Sequence, residues 1–261
     1  MSPILLQLYG PFAINAYGLF IALGLMIALL LARKDPRKQS LITDDEGITL
    51  LSGGIIAGIF GGRILHLLMD PSQFTSWYDL IAFWEGGFAE LGSLITVTIF
   101  LITYLYYKKI SLLPLLDLIG TYAPLMQSFG RIGCFFAGCC YGAPTTVAWS
   151  VTYTHPASLA PLHQSLHPTQ LYSAFLFFCA FMILYAISST LTKPGQCFML
   201  YIMATSSIRF MVDFWRDDRI FTSLSNSISS YQLLALGIFL LGAIGFMVAS
   251  SHERSFKNEA N

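Results

Sequence analysis

The sequence predicts an all-α membrane protein of about seven transmembrane helices, with the N-terminus outside and the C-terminus in the cytoplasm. Three observations carry this. Of the 261 residues, 55% are hydrophobic and only 11% charged, with a mean hydropathy of +0.65. Average soluble domains carry about a quarter charged residues, so this chain cannot cover a water-facing surface in the usual way. Apolar runs of the roughly 20 residues needed for a span recur along the chain, and the basic residues cluster in alternate connections.

The runs lie at 12–32, 47–69, 92–107, 112–137, 170–191, 197–214 and 230–250. The third is short, and the fourth and sixth each contain an arginine, so hydropathy alone supports these three least. Orientation follows from the basic residues flanking the spans. Arg33, Lys34, Arg37 and Lys38 follow the first run, Lys108 and Lys109 the third, Lys193 the fifth, and Arg254 and Lys257 lie in the tail. The connections on the other side hold only Arg216 and Arg219.

Residues 1–250 read as one transmembrane domain, and 251–261 as a polar cytoplasmic tail. An outer arm at about 70–91 contains Trp77, Tyr78 and Trp84, which suits an amphipathic segment at headgroup depth. An outer loop or head at about 138–169 is rich in Pro, Ser, Thr and His; connections this long are usually functional. No cleavable signal peptide is expected, since no basic segment precedes the first run. Fourteen basic residues balance fourteen acidic ones, which gives no pull toward nucleic acid. Neither a cofactor nor a metal is expected. No internal duplication or paired interrupted helices point to a transporter.

Three arginines interrupt apolar runs: Arg63, Arg131 and Arg209. Each costs about 2.5–3.5 kcal/mol at a helix centre on insertion scales, so partners are required. Interhelical salt bridges are one reading, for example Arg209 with Asp117 or Asp213. Convergence on a lipid phosphate is the other, because a guanidinium stays charged at depth and offers a planar fork of donors. Gly61 and Gly62 precede Arg63, and Gly130 and Gly133 flank Arg131; small residues permit close helix approach or leave room for a substrate.

The cysteines at 134, 139, 140, 179 and 197 are too few for a disulfide framework. Buried thiols as apolar packing are the default reading. A redox pair at Cys139–Cys140, or zinc held by these two with His155, His163 or His167, are the alternatives. In "LHPTQLY" Pro168 enforces an extended approach, and Thr169 is expected to cap a helix beginning at Gln170, fixing His167 at the mouth of the fifth span.

These segments together resemble the prolipoprotein diacylglyceryl transferases. "NAYGLF" with Tyr17, "GGRILHLL", "WEGGFAELGSLI", "GRIGCFFAGCCYG", "HPTQLY" with Tyr172, and "IRFMVDFWRDD" are similar, in order, to six family motifs. The resemblance implies transfer of a diacylglyceryl group from phosphatidylglycerol to the lipobox cysteine of a prolipoprotein signal peptide, in the bacterial inner membrane. It also implies Arg131 and Arg209 as catalytic phosphate ligands, and Tyr17, Arg63, Gly130, Gly133, Gln170, Tyr172, Asp213 and Arg216 as the substrate pocket, with Arg216 near Asp213. The sequence departs from the family pattern at several positions. Leu91 stands at the family's catalytic histidine, Ser93 at a glycine, Cys134 at an asparagine, Cys139 at an acidic residue and Asp213 at a glutamate. Glu90, His167 and His66 are the alternative bases for the thiol. A non-catalytic relative that binds phospholipid or precursor is the rival reading that Leu91 favours.

Overall fold

The computed structural model describes residues 2–9, 12–71, 76, 89–222 and 225–251. Most of the outer arm, including Trp77, Tyr78 and Trp84, and the tail with His252 lie outside the described residues, as does the side chain of Glu90. The described chain runs β1 (Ile4–Tyr9), β2 (Phe12–Asn15), α1 (Ala16–Arg33), α2 (Pro36–Leu41), α3 (Asp44–Met69), α4 (Glu90–Lys108) and α5 (Leu112–Ala137). Then follow β3 (Val151–Thr152), β4 (Ser165–Leu166), α6 (Thr169–Ile187), α7 (Gln196–Asp213), β5 (Phe221–Thr222), β6 (Ser225–Ser229) and α8 (Ser230–Ser251). Each of the seven apolar runs forms a long helix. By length and composition five of them, α1, α3, α4, α6 and α8, suffice to cross a membrane. α5 and α7, the two that carry Arg131 and Arg209, are not among the five.

Little of the apolar surface is spent on protein contacts. Only 11% of the apolar stretch of α8 is buried, against 39% for α6, and Leu234, Leu240, Leu241, Met247 and Val248 stand exposed along α8. Soluble chains do not leave apolar faces of this extent uncovered.

Contacts divide the chain into two compact units, one of Met1–Leu8, Ala13–Ala32 and Leu116–Asn261, the other of Tyr9–Phe12 and Arg33–Leu115. In the second unit Thr43 and Glu46 form a reciprocal capping box that starts α3. α3 and α4 meet at glycines: a Cβ on Gly92 would lie 2.6 Å from Leu65 Cβ and 2.9 Å from the Gly61 backbone. Backbones this close let hydroxyls reach across, so Ser93 Oγ donates to the Gly58 carbonyl (2.8 Å) and Thr96 Oγ1 to that of Ala57 (2.7 Å). Ser93 therefore uses its extra atoms to tie the two helices. Arg63 is buried within α3, whereas Leu91 is exposed on the first turn of α4.

In the first unit α7 packs most extensively, on α8 and then α6, and α5 touches α1, α6 and α7 at individual side chains. Phe20 of α1 stacks on Phe136 at 5.2 Å, and Ser128 Oγ donates to the Ala174 carbonyl of α6 (2.8 Å). Asp117 caps α7, accepting from the amides of Gly195 (2.6 Å) and Phe198 (2.9 Å). A carboxylate there complements the positive end of the helix dipole, so Asp117 is not the partner of Arg209. Beside it a Cβ on Gly120 would lie 3.1 Å from Phe198 Cα, and Thr121 Oγ1 meets Cys197 Sγ at 3.2 Å. α8 begins with its own capping box, Ser229 Oγ accepting from Gln232 N (3.1 Å) and Gln232 Oε1 from Ser229 N (2.9 Å).

Candidate active site

The segment between α5 and α6 folds as a small head on the first unit. β3 pairs antiparallel with β4, and Tyr153, Ala160 and Leu166 form its core. The chain leaves α5 through Gly138, whose φ of +77° belongs to the left-handed region that glycine enters without steric cost. It returns along the start of α6, where the Thr169 hydroxyl donates to the Cys140 carbonyl (2.9 Å) and Gln170 Nε2 to that of Cys139 (2.8 Å). The expected cap is therefore corrected. α6 begins at Thr169, with Pro168 at its N-cap and no side-chain cap, because the Thr169 hydroxyl is engaged by the head. Gln170 is buried by the same arrangement, its second tie being Tyr153 Oη at 3.3 Å.

Gly142 is squeezed where head, α6 and α7 meet. A Cβ there would lie 2.6 Å from the His167 carbonyl oxygen and 2.6 Å from that of Trp215, and Gly142 bridges Arg216. Gly130 differs: nothing lies within 4 Å of a Cβ added to it. Gly133 does pack closely: a Cβ there would lie 3.1 Å from Tyr17 Cα. Of the two glycines beside Arg131, one seats α1 and the other borders open space.

The arginines of this unit separate into paired and unpaired. Arg209 reaches Asp213, one turn on, at 3.0 Å and lies 4.6 Å from the Tyr231 ring centroid. Asp213 is fully enclosed and also accepts from Ser229 Oγ (2.5 Å) and faces Arg219 Nε at 3.5 Å. Arg216 lies beside Asp213, its amide donating to the Asp213 carbonyl (3.1 Å), while its guanidinium forks onto Asp218 through two hydrogen bonds of 2.6 Å. Ser229, Arg209 and Arg219 already surround the Asp213 carboxylate. The Arg216 guanidinium holds the Asp218 carboxyl below its ordinary pKa. Arg131, partly buried on α5, has no hydrogen bond or carboxylate partner among the described residues. It lies within electrostatic range of Arg209, as does Arg216.

His167 Nδ1 meets Tyr172 Oη at 3.2 Å, and Trp149 Nε1 donates to the same hydroxyl at 2.7 Å. The phenol oxygen keeps a second lone pair, so the direction of its bond with Nδ1 follows the imidazole tautomer. His155 accepts from the Ala157 amide, and His163 is an exposed turn residue at φ +60°.

Sequence reasoning missed one grouping. Cys134, Cys139 and Cys140 bring their Sγ atoms within 4.8 Å of one another, with no histidine among them. Spacings of five and six residues match no ligand template; the glycine that ends the helix between them is the signal that reveals the turn. Hydrogen bonds from Cys134 and Cys139, and then the Arg216 guanidinium, push the Cys140 thiol down. An open, mostly apolar groove of about 710 Å³ runs past Cys139, Tyr17, Ile14 and Leu159.

A family profile described as prolipoprotein diacylglyceryl transferase matches residues 3–248. A phosphatidylglycerol–prolipoprotein diacylglyceryl transferase of Clostridium tetani is 34% identical over 249 residues, covering 95% of this chain and 98% of the relative. One from Thermotoga maritima is 30% identical over 94% of this chain and 84% of its own length. A protein of the same name, numbered 2, from Clostridium perfringens is 33% identical over 84% of each. The chain belongs to the prolipoprotein diacylglyceryl transferase family.

Proposed function

We propose that this protein transfers the diacylglyceryl group of phosphatidylglycerol to the lipobox cysteine thiol of a prolipoprotein signal peptide, forming a thioether and releasing glycerol phosphate. The observation that carries the reading is Arg131: a partly buried cation without a carboxylate partner among the described residues, within electrostatic range of a second guanidinium at Arg209. Like charges held together in an apolar setting are stabilised by an anion between them, and a phosphodiester supplies one.

The chemistry is substitution at a glycerol carbon. Negative charge grows on the departing phosphate oxygen, and donors fixed before the reaction stabilise it without reorganisation. Arg131 and Arg209 are those donors. Asp213, held by Ser229, orients Arg209. His167 donates from Nε2 to the headgroup, with Tyr172 orienting its ring. Gln170 acts indirectly, by holding the head to α6. Gly130 leaves room for the phosphate, and Tyr17 borders the groove. Arg63 and Glu90 belong to the other unit, and this reading does not depend on them.

The same reading places the chain in a bacterial inner membrane with seven spans and the N-terminus outside. In its favour, the two long helices that fall short of span composition are α5 and α7, the pair that carries the cradle. The exposed apolar residues Trp149 and Leu159 suit a head resting at the interface.

The test is complementation of a strain depleted of its own transferase. Arg131→Ala and Arg209→Ala should insert normally and lose lipoprotein modification. Undiminished modification by either variant excludes the phosphate cradle. A wild-type protein that binds phosphatidylglycerol without rescuing the strain favours the binding-only relative to which Leu91 points.

A further inference from the structure

The three-thiol cluster lies outside the role assigned above. Cys134 sits in the last turn of α5, buried, and the helix stops three residues later. Gly138 then reverses the chain; a Cβ there would strike Ser158 Oγ and approach the Ala160 amide at 3.0 Å, so the turn is fixed by packing as well as by dihedral. Cys140 adopts φ +58°, a left-handed conformation uncommon for a residue with a side chain. Neighbouring side chains on extended backbone point apart; this turn brings the Cys139 and Cys140 sulfurs to the same side as Cys134.

The cluster is braced from α6. Thr169 and Gln170, both buried, hold the two carbonyls of the Cys-Cys pair, and Gly142 anchors the following strand to Arg216. Strained backbone that persists because its surroundings determine it clusters at functional sites. Thiols that serve only as apolar packing need neither the strain nor the bracing. Cys139 also lines the groove and is only partly buried.

Three soft donors meeting at one point suit a thiophilic d10 ion. Zinc–thiolate bonds of about 2.3 Å place sulfurs about 3.8–4.0 Å apart around a shared ion, close to the 4.8 Å that bounds all three pairs here. Three thiolates around Zn²⁺ leave a net charge of minus one. Arg216, within electrostatic range of Cys140, and Arg131, within range of Cys134, offset it. Guanidinium donors to ligand sulfur are the outer support that metal sites employ. No fourth His, Cys or carboxylate joins the group among the described residues, so a tetrahedral ion would take one external ligand.

We propose that Cys134, Cys139 and Cys140 form a three-thiolate zinc site whose fourth position receives the acceptor thiol of the substrate. The second half of this statement rests on the diacylglyceryl transfer reading; the metal site does not. The acceptor cysteine would bind as thiolate, releasing its proton to solvent. Its sulfur pair would form the new S–C bond to the glycerol carbon while the C–O bond to phosphate breaks, and that pair leaves with glycerol phosphate. The neutral thioether is a weaker zinc ligand and departs. The metal would thus do at this end of α5 what a histidine cannot do from Leu91.

The test uses full-length protein purified in detergent without reductant, its metal content and thiol state read by elemental and intact-mass analysis. About one zinc per chain is expected in wild type and in Cys179→Ser, and none in Cys134→Ser, Cys139→Ser or Cys140→Ser. Because a serine variant can fail to fold, wild-type protein is also loaded with Co²⁺, which should give thiolate-to-cobalt charge-transfer absorption and a tetrahedral visible spectrum. Absence of both zinc and the cobalt bands, a disulfide within the cluster in metal-free protein, or zinc retained by the triple serine variant would overturn the site.

Transfer activity is read separately. Removing zinc at pH 7 should slow transfer about 30-fold, since a free thiol of pKa near 8.5 is only a few per cent ionised there, and the deficit should shrink above pH 8.5. Undiminished transfer by zinc-free protein overturns the activating role. Zinc bound normally in a protein that transfers nothing under any condition sinks the transferase reading and leaves the metal site standing.

Discussion

Arg209 and Asp213 stand one turn apart on α7 with 3.0 Å between guanidinium and carboxylate, and Asp213 is completely enclosed. A carboxylate so placed is held by its partners, here Ser229, Arg209 and Arg219. Breaking a buried pair from one side costs about 3–5 kcal/mol, because the remaining charge loses its counterpart. Asp213→Asn should destabilise the detergent-solubilised protein by about that amount and abolish transfer, since Arg209 loses the group that aims it. Thermal unfolding with a parallel transfer assay checks both; an active, stable Asp213→Asn would show that Arg209 needs no such guide.

His167 is argued to donate a proton's hydrogen bond, not to accept a proton. Glutamine can donate but cannot act as a base near neutrality. His167→Gln should therefore keep transfer within about 10-fold of wild type, His167→Ala should lose more, and the pH profile should not change shape. The figure corresponds to about 1.4 kcal/mol, one neutral hydrogen bond. A profile that loses its acidic limb in His167→Gln would restore the histidine as base.

Gly142 and Gly130 should respond oppositely to alanine. At Gly142 the new methyl meets two backbone carbonyls at 2.6 Å, neither of them the end of a flexible side chain. Overpacking of this kind costs about 1–3 kcal/mol, and proteolysis within the head should report it. Gly130→Ala meets nothing within 4 Å, so stability should hold, and any loss should fall on phosphatidylglycerol affinity.

Burial pushes the Tyr153 phenol up to about 12. The folded state therefore keeps a proton that the unfolded chain releases near pH 10. Its contribution is complete below pH 10 and is lost as pH rises from about 10 to 12. Tyr153→Phe should remove that part of the alkaline loss. It should also cost about 1–3 kcal/mol at pH 7, because the Phe135 carbonyl loses its donor. Unfolding measured from pH 7 to 11.5 in both proteins checks the two effects together.

How far the sequence could be read depended on whether a feature was local. Helix positions came from apolar periods and lengths, and α1 and α3 to α8 lie where those runs lie. That α5 and α7 are too polar for simple spans was visible from Arg131 and Arg209 themselves. The partner of Arg216 was not legible. Choosing Asp218 over Asp213 required knowing that Ser229, a β-strand and a turn away, and Arg219 fill the space around Asp213. The hydroxyl of Thr169 was misread for the same reason: a cap is a local expectation, whereas the Cys140 carbonyl arrives from 29 positions back. The cysteine cluster was hidden by a helix end, since Cys134 belongs to α5 and its companions do not.

Asp117 ties the far end of α5 to the start of α7, with Gly120 wedged beside it. From that tie to Arg131 the chain rises about 21 Å, and from Phe198 to Arg209 about 16 Å, at 1.5 Å per residue. The two helices thus behave as a pair of calipers, with the pivot at Asp117 and the guanidinium jaws at the opposite tips. A tilt of about 5° at the pivot moves a jaw by roughly 1.5 Å, enough to grip or release a phosphate. On the proposed reading, the width of the headgroup slot is then set 11 to 14 residues away from the guanidinium groups that would hold the phosphate.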